Sequence, residues 1–318
     1  MDQSKDIFGL TSKCSIDFHE VLRFPNEKRV VARRRWAILA KALKSPTESQ
    51  PSSPTDECSV RRISSFMLLK TQELTSLPLV IKENQNIDQL KKYTWYKYSI
   101  CINGSDYFLD IAHRNRTFSA EDLMGFNNTG NICIWPSEET LSYFVCSNLE
   151  IFRDKNVIEL GGGMSCLAGL FAAKYGRAKS VLVSDGNKVS VENVQITLKC
   201  NEFGSEVSCA ILEWSSSVIK DQYDVVLCAD CLFFDDARTD LINCLWCCLA
   251  NNGTAYIMAP QRGTTLNMFI KQSEEKGFTC KMILRYSDVV WDKRLALLDN
   301  CDFDDNIHYP ILIEVTKE

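Results

Sequence analysis

From Asn156 onward, short apolar runs alternate with segments whose apolar residues recur at a helical period. The runs predict strands at Asn156–Leu160, Ser180–Ser184, Val207–Leu212, Asp224–Ala229, Gly253–Ala259, Phe278–Arg285 and His308–Val315. The periodic segments predict helices over Ser165–Tyr175, Val189–Cys200, Ala237–Leu249 and Thr265–Lys276. The last two strands are expected to follow one another without a helix, across a loop crowded with aspartates from Asp288 to Asp305. Such an order predicts a mostly parallel α/β sheet with one antiparallel strand inserted last.

Upstream the pattern changes. Ser65–Leu69, Leu79–Lys82, Tyr93–Ile102 and Tyr107–Ile111 read as strands, and Asn103-Gly104 between two of them is a hairpin signal. The aromatics Tyr93, Trp95, Tyr96 and Tyr98 are expected in sheet and core. Ser137 with Glu139 and Thr140 marks a helix start, continuing through Leu141, Phe144, Val145 and Leu149, with Trp135 just before it. Three parts are therefore expected: 1–60, with a basic helix-like stretch (Lys28–Lys44) and a Pro/Ser-rich linker (Ser45–Ser59); a β-rich unit, 61–128; and the α/β domain, 129–318. The linker lacks the apolar residues to bury a core and is expected to be partly disordered.

Composition narrows the classes. The 318 residues are 45% hydrophobic and 24% charged, an ordinary globular balance, with net charge −5. That balance gives no general affinity for nucleic acid, and no run is apolar enough to span a membrane. Absence of a signal peptide points to the cytoplasm, with the Lys28–Arg35 patch compatible with nuclear import. The 15 cysteines read as free thiols of a reducing compartment. Cys228-x-x-Cys231 and Cys244-x-x-Cys247 imitate a zinc ribbon but lie in apolar runs, so core packing is the favoured reading and no metal is expected. The three histidines are scattered.

In open α/β sheets, ligands bind beyond the carboxyl ends of the strands. There the sequence places Glu159-Leu160-Gly161-Gly162-Gly163, then Asp185, Trp214 and Asp230. Asp185 follows Gly163 at the spacing of a ribose-holding acid, with helix capping as its alternative role. A dinucleotide fingerprint needs a third glycine, where the chain has Cys166. An acid-x-glycine-x-glycine loop with an acid ending the second strand suits S-adenosylmethionine.

Ile134-Trp135-Pro136-Ser137-Glu138-Glu139, Val157 through Gly163, and Asp230-Cys231-Leu232-Phe233 together resemble the seven-strand protein-lysine methyltransferases called family 16. The Gly-Gly-Gly-Met-Ser-Cys-Leu-Ala-Gly run, the acid-tipped loop between the last strands and the Pro/Ser linker resemble the branch of that family whose substrate is calmodulin, an acidic EF-hand protein. The resemblance implies a Rossmann-like class I methyltransferase sheet with a terminal antiparallel hairpin, S-adenosylmethionine as cofactor, and a protein substrate. A monomer is the expectation. It implies Trp135, Glu159, Gly161, Gly163, Asp185, Asn187, Trp214 and Ala229 around the cofactor. Asp230, Phe233 and Phe234 would face the lysine. Phe233 stands where many relatives have Tyr, so it carries no proton-transfer role. The Lys28–Lys44 segment reads first as a helix with a solvated cationic face, and alternatively as a surface that attracts an acidic substrate.

Overall fold

A computed structural model describes residues 63, 65–78, 90–115, 133–215, 221–232 and 234–317. The basic segment, the Pro/Ser linker, Leu79–Lys82 and Phe233 lie outside the described residues. Strands β1 (Lys70–Glu73), β2 (Tyr93–Ile102) and β3 (Ser105–Arg114) form an antiparallel sheet in that order. Helix α1 is Pro136–Ser147. The α/β rhythm then runs β4 (Asn156–Leu160), α2 (Leu167–Tyr175), β5 (Ser180–Asp185), α3 (Lys188–Lys199), β6 (Glu206–Ile211) and β7 (Tyr223–Ala229). It continues with α4 (Asp235–Cys248), β8 (Leu249–Pro260), α5 (Thr265–Lys276), β9 (Thr279–Ile283), α6 (Asp288–Leu297), α7 (Asp305–His308) and β10 (Pro310–Thr316).

The large sheet has seven strands in the order β6-β5-β4-β7-β8-β10-β9. Strands β4 to β8 are mutually parallel, and β10 lies antiparallel between β8 and β9. The inserted antiparallel strand matches the sequence reading. The expectation of no helix before it does not: α6 and α7 fill the acid-rich segment. Ser287 caps α6 by accepting from the Val290 amide, and Asp288 in its first turn suits the helix dipole, so the acids there start a helix instead of forming a loop. None of the described helices is long and apolar enough to cross a membrane.

From β4 the chain moves outward to β5 and β6, then returns to place β7 on the other side of β4. Right-handed crossovers put the helices of these two halves on opposite faces, and a crevice opens between β4 and β7 where the direction reverses. Helix α1 is buried on nearly every side, between α2, the small sheet and strands β7, β8 and β10. Its start is one residue earlier than the Ser137 signal implied. Pro136 occupies the first helical position, where its missing N–H costs nothing, and Trp135 is the N-cap.

The hairpin Asn103-Gly104 is as read: both residues take positive φ, 50° and 82°, and Ile102 pairs with Ser105. The sheet it belongs to is fastened to the body edge-on. Asn193 and Thr197 lie one turn apart on one face of α3, and Asn201, just past its C-terminal cap, continues their line. Asn201 Oδ1 accepts the Asp110 amide and its Nδ2 donates to the Asp110 carbonyl; Thr197 Oγ1 accepts the Ala112 amide; Asn193 donates to the Ala112 carbonyl. Side chains of α3 and of the residue just beyond its cap thus complete hydrogen bonds of β3's outer edge, as a fourth strand would. Beneath, Trp95 and Ala112 meet Ile196 and Cys200 of α3 in a small second core.

Ser65–Leu69, read as a strand, is instead a loop around one carboxylate. Glu139 accepts from Ser65 Oγ and from the amides of Phe66, Leu68 and Leu69, at 2.7–3.0 Å. Met67 at the turn takes φ 57° and is exposed. Three amides aimed at one point cannot also serve a ladder.

Candidate active site

The glycine loop leaves β4 and is strapped to the end of β5. Gly162 N–H donates to the Ser184 carbonyl at 3.1 Å, and Gly163 N–H to Asp185 Oδ2 at 2.9 Å. Ser184 Oγ donates back to the Glu159 carbonyl. Gly161 has φ 67°, and a Cβ there would lie 2.9 Å from Cys231 Sγ and 3.1 Å from the Trp214 indole. Only glycine lets the loop pass between those two groups. Cys166, where a dinucleotide fold has its third glycine, still takes a left-handed φ of 44° and stands as the N-cap of α2. The bend survives there without the glycine.

Asp185 is placed where a ribose acid would be, but it also holds the loop. Its Oδ1 accepts the Asn187 amide at 2.8 Å while Oδ2 holds Gly163. The Ser190 side chain also bonds this carboxylate, and of its roughly four lone-pair sites one is left to accept a ribose hydroxyl. Burial pushes its carboxyl up, and the hydrogen bonds from the Asn187 and Gly163 amides and from Ser190 pull it back. Capping, the alternative role of Asp185, falls to Asn187, whose side chain accepts from Val189 and Ser190 amides. Trp135 and Trp214 are half-buried, and Ala229 ends β7 beside the loop.

Glu159 was expected to line the cofactor. In the structure it lies beneath the loop, fully buried, with Oε2 accepting the Gly169 amide at 2.9 Å. Glu138 of α1, equally enclosed, accepts the Ala168 amide at 3.0 Å. Both carboxylates therefore meet the N-terminal turn of α2, whose free amides favour negative charge. Burial raises both carboxyls, and Glu159 is raised further by the neighbouring Glu138 charge. Glu159 thus supports the loop from below and has no exposed surface.

Asp230 terminates β7 in a left-handed conformation, φ 52°, with its amide held by the Met258 carbonyl. Its carboxylate was expected to point at a substrate amine. It is instead closed by the guanidinium of Arg262, Nη1 to Oδ1 at 2.6 Å and Nη2 to Oδ2 at 2.9 Å. Phe234 is the half-buried N-cap of α4, and Phe233 lies outside the described residues. The sequence reading missed Arg262, Glu138 and the role of Glu139. A cation two residues past the end of β8, beside a strand ending in an acid, was the available signal for Arg262.

Next to the loop, a cavity of about 310 Å³ is lined by Met164, Ile134, Glu139, Thr71, Tyr98 and His113 among others. Tyr98 Oη and His113 Nε2 are 2.9 Å apart. Burial holds His113 down at about 4, a neutral imidazole. Asn193 Nδ2 reaches the Met164 carbonyl at 2.9 Å, tying α3 to the same loop. Cys228, Cys231 and Cys244 are packed in the apolar core as expected, Cys247 is exposed instead, and no cluster of metal-ligating side chains occurs among the described residues.

A family model described as lysine methyltransferase matches residues 119–276. Calmodulin-lysine N-methyltransferase of Arabidopsis thaliana is 30% identical over 301 residues, 89% of this chain and 96% of that protein. The chain belongs to the lysine methyltransferase family. The electron transfer flavoprotein beta subunit lysine methyltransferase of Rattus norvegicus is 27% identical over 39% of this chain and 49% of its own. A methyltransferase structure from Pyrococcus furiosus overlaps with TM-score 0.43 at 15% identity, over 56% of this chain and 82% of that one.

As a lysine methyltransferase of this family, the protein uses S-adenosylmethionine. The residues present fit it. The loop is bare of side chains at Gly161 and Gly163, both with positive φ, and an acid with a spare lone-pair site ends the neighbouring strand. An indole lies against the glycine where a base can stack.

Proposed function

We propose that the protein methylates a lysine of calmodulin, adding up to three methyl groups. The observation that carries this reading is the reach of the likeness to the Arabidopsis enzyme, 96% of that protein, whereas the rat enzyme of different named substrate matches 39% of this chain. In this reading Gly161, Gly163, Asp185, Trp135 and Trp214 hold the cofactor at the ends of β4 and β5, and Asp230 and Phe234 border the lysine. Bound there, S-adenosylmethionine supplies a sulfonium-activated methyl: the amine lone pair forms the C–N bond, the C–S pair stays on sulfur, and the surplus amine proton leaves to water.

The residues have three tasks. They must present the amine in line, which supplies most of the acceleration. They must admit it uncharged, although free lysine titrates near ~10.4. They must also keep bulk water from the amine, which the half-buried Phe234 at the start of α4 favours. The test is direct: unmethylated recombinant calmodulin, the protein and S-adenosylmethionine are incubated, and intact mass is followed. Stepwise gain of methyl mass on one lysine is expected. Labelling of a different protein in a cell extract, with calmodulin untouched, would overturn the choice of substrate while leaving the enzyme class in place.

A further inference from the structure

Two non-glycine residues at adjacent strand ends, Asp230 and Arg262, both take left-handed backbone conformations, with φ 52° and 43°. A left-handed backbone is unfavourable for a residue with a Cβ, so the surrounding structure must hold each one there. The holding contacts are visible. Asp230 N–H donates to Met258, Arg262 N–H donates to the Asn306 carbonyl at 2.6 Å, and the adjoining Gly263 amide donates to Asn306 Oδ1 at 2.9 Å. The two side chains then meet in a two-point ion pair that is mostly out of water, with 16% of the Arg262 side chain and 7% of the Asp230 side chain exposed. The pair sits beside Cys231, which packs under Gly161 at the cofactor loop.

We infer that Arg262 is a positioning residue of the methyl-transfer site: it fixes the Asp230 carboxylate and cancels its charge, so that the site does not favour a protonated lysine. The inference rests on the reading of Asp230 as bordering the lysine. A lone buried carboxylate would stabilise the ammonium form and hold back the neutral amine the reaction needs; a cation beside it opposes that effect. The spare lone pairs of Asp230 can still orient the amine by accepting one hydrogen bond.

The other titratable and charged groups on the elements packed around the pair are engaged elsewhere. Among the described residues, Asp185 holds the glycine loop, and Asp235 pairs with Arg238 at the start of α4. Asp305 pairs with Arg294 of α6, Asp304 accepts the Asn306 amide, and His308 Nδ1 accepts the Asp304 amide. Cys228 and Cys231 are buried thiols, and the hydrogen bond with Cys228, then burial, push the Cys231 thiol up, keeping it neutral.

The experiment compares wild type with Arg262→Gln, Arg262→Lys, Asp230→Asn and the double variant Asp230→Asn/Arg262→Gln. Two quantities are read. One is the acid limb of the pH–rate profile on calmodulin. The other needs no methyl acceptor: the Kd of S-adenosylhomocysteine divided by that of S-adenosylmethionine, by calorimetry. Arg262→Gln leaves an uncancelled carboxylate, so the limb should move up by about one pH unit and the ratio should rise at least about threefold toward the sulfonium. Asp230→Asn leaves an uncancelled cation and should move both the opposite way. Arg262→Lys and the double variant, each neutral overall, should keep the wild-type limb and ratio. A uniform rate loss at all pH values with an unchanged ratio would reduce the pair to a structural brace and overturn the inference. If Arg262→Gln does not fold, a shift in either neutral variant, or none in Asp230→Asn, overturns it equally. If wild type leaves calmodulin unmodified, the substrate reading fails, and the binding ratio still decides the role of Arg262.

Discussion

Gly161 shows how little freedom a single position has. A methyl group there meets Cys231 and Trp214 and must also sit at φ 67°. Gly161→Ala is expected to weaken S-adenosylmethionine binding at least about tenfold and to cost about 1–2 kcal/mol of stability, measured by calorimetry and denaturant melts. That loop was legible because glycines and an apolar strand are local signals. Glu159 was legible as a residue of interest but not as a support, because its partner Glu138 is distant in sequence and arrives on α1. The buried carboxyl pair has a pH signature. The folded carboxyls titrate above the usual range, Glu138 at about 7 against 4.5 for the free group. The folded protein therefore binds protons that the unfolded chain releases between those values, and stability conferred by the neutral form is lost as pH rises through them. Glu159→Gln keeps an acceptor for Gly169 without titrating. Its melting temperature relative to wild type should increase from pH 5 to pH 8; a flat difference would show that Glu159 adds no pH-dependent stability.

At the scale of elements, strand positions in the α/β half followed from sequence because buried parallel strands are short, continuous apolar runs. The reading failed where side chains from afar decide the backbone. Phe66 to Leu69 is apolar enough for a strand, yet its amides converge on Glu139. Helix α6 was read as loop because only Val290 of its ten residues is fully buried, which leaves almost no periodic signal. Glu139→Ala would strand a hydroxyl and three amides and is expected to cost about 3 kcal/mol or more. Hydrogen exchange should report it locally: the Phe66, Leu68 and Leu69 amides lose protection, while those of β4 and β5 keep theirs if the body stays folded. Asp230 belongs to the same lesson, since its place at a strand end was readable and the guanidinium that closes it, 32 positions on, was not.

For the whole molecule, the α/β body and the small sheet meet at the cofactor loop, through Asn193 and the cavity beside Met164. Asn193→Ala is expected to weaken cofactor binding several-fold by releasing Met164, with a smaller loss of stability, because one hydrogen bond contributes about 1 kcal/mol. The cationic stretch Lys28–Lys44 belongs to this scale as well, since attraction between an acidic substrate and a basic segment acts over about a Debye length. Deleting residues 1–60 should raise KM for calmodulin at low salt and leave cofactor affinity unchanged; an unchanged KM would remove that segment from substrate capture. The polar stripe of α3 has a further consequence. A strand with unpaired edge groups is a template on which another molecule can polymerise. Asn193, Thr197 and Asn201 occupy the template of β3, while the opposite edge, β1, is only four residues long and fully exposed. An aliphatic stripe in their place would preserve the helix and turn β3 into a seed for aggregation, so these three side chains guard solubility as well as shape.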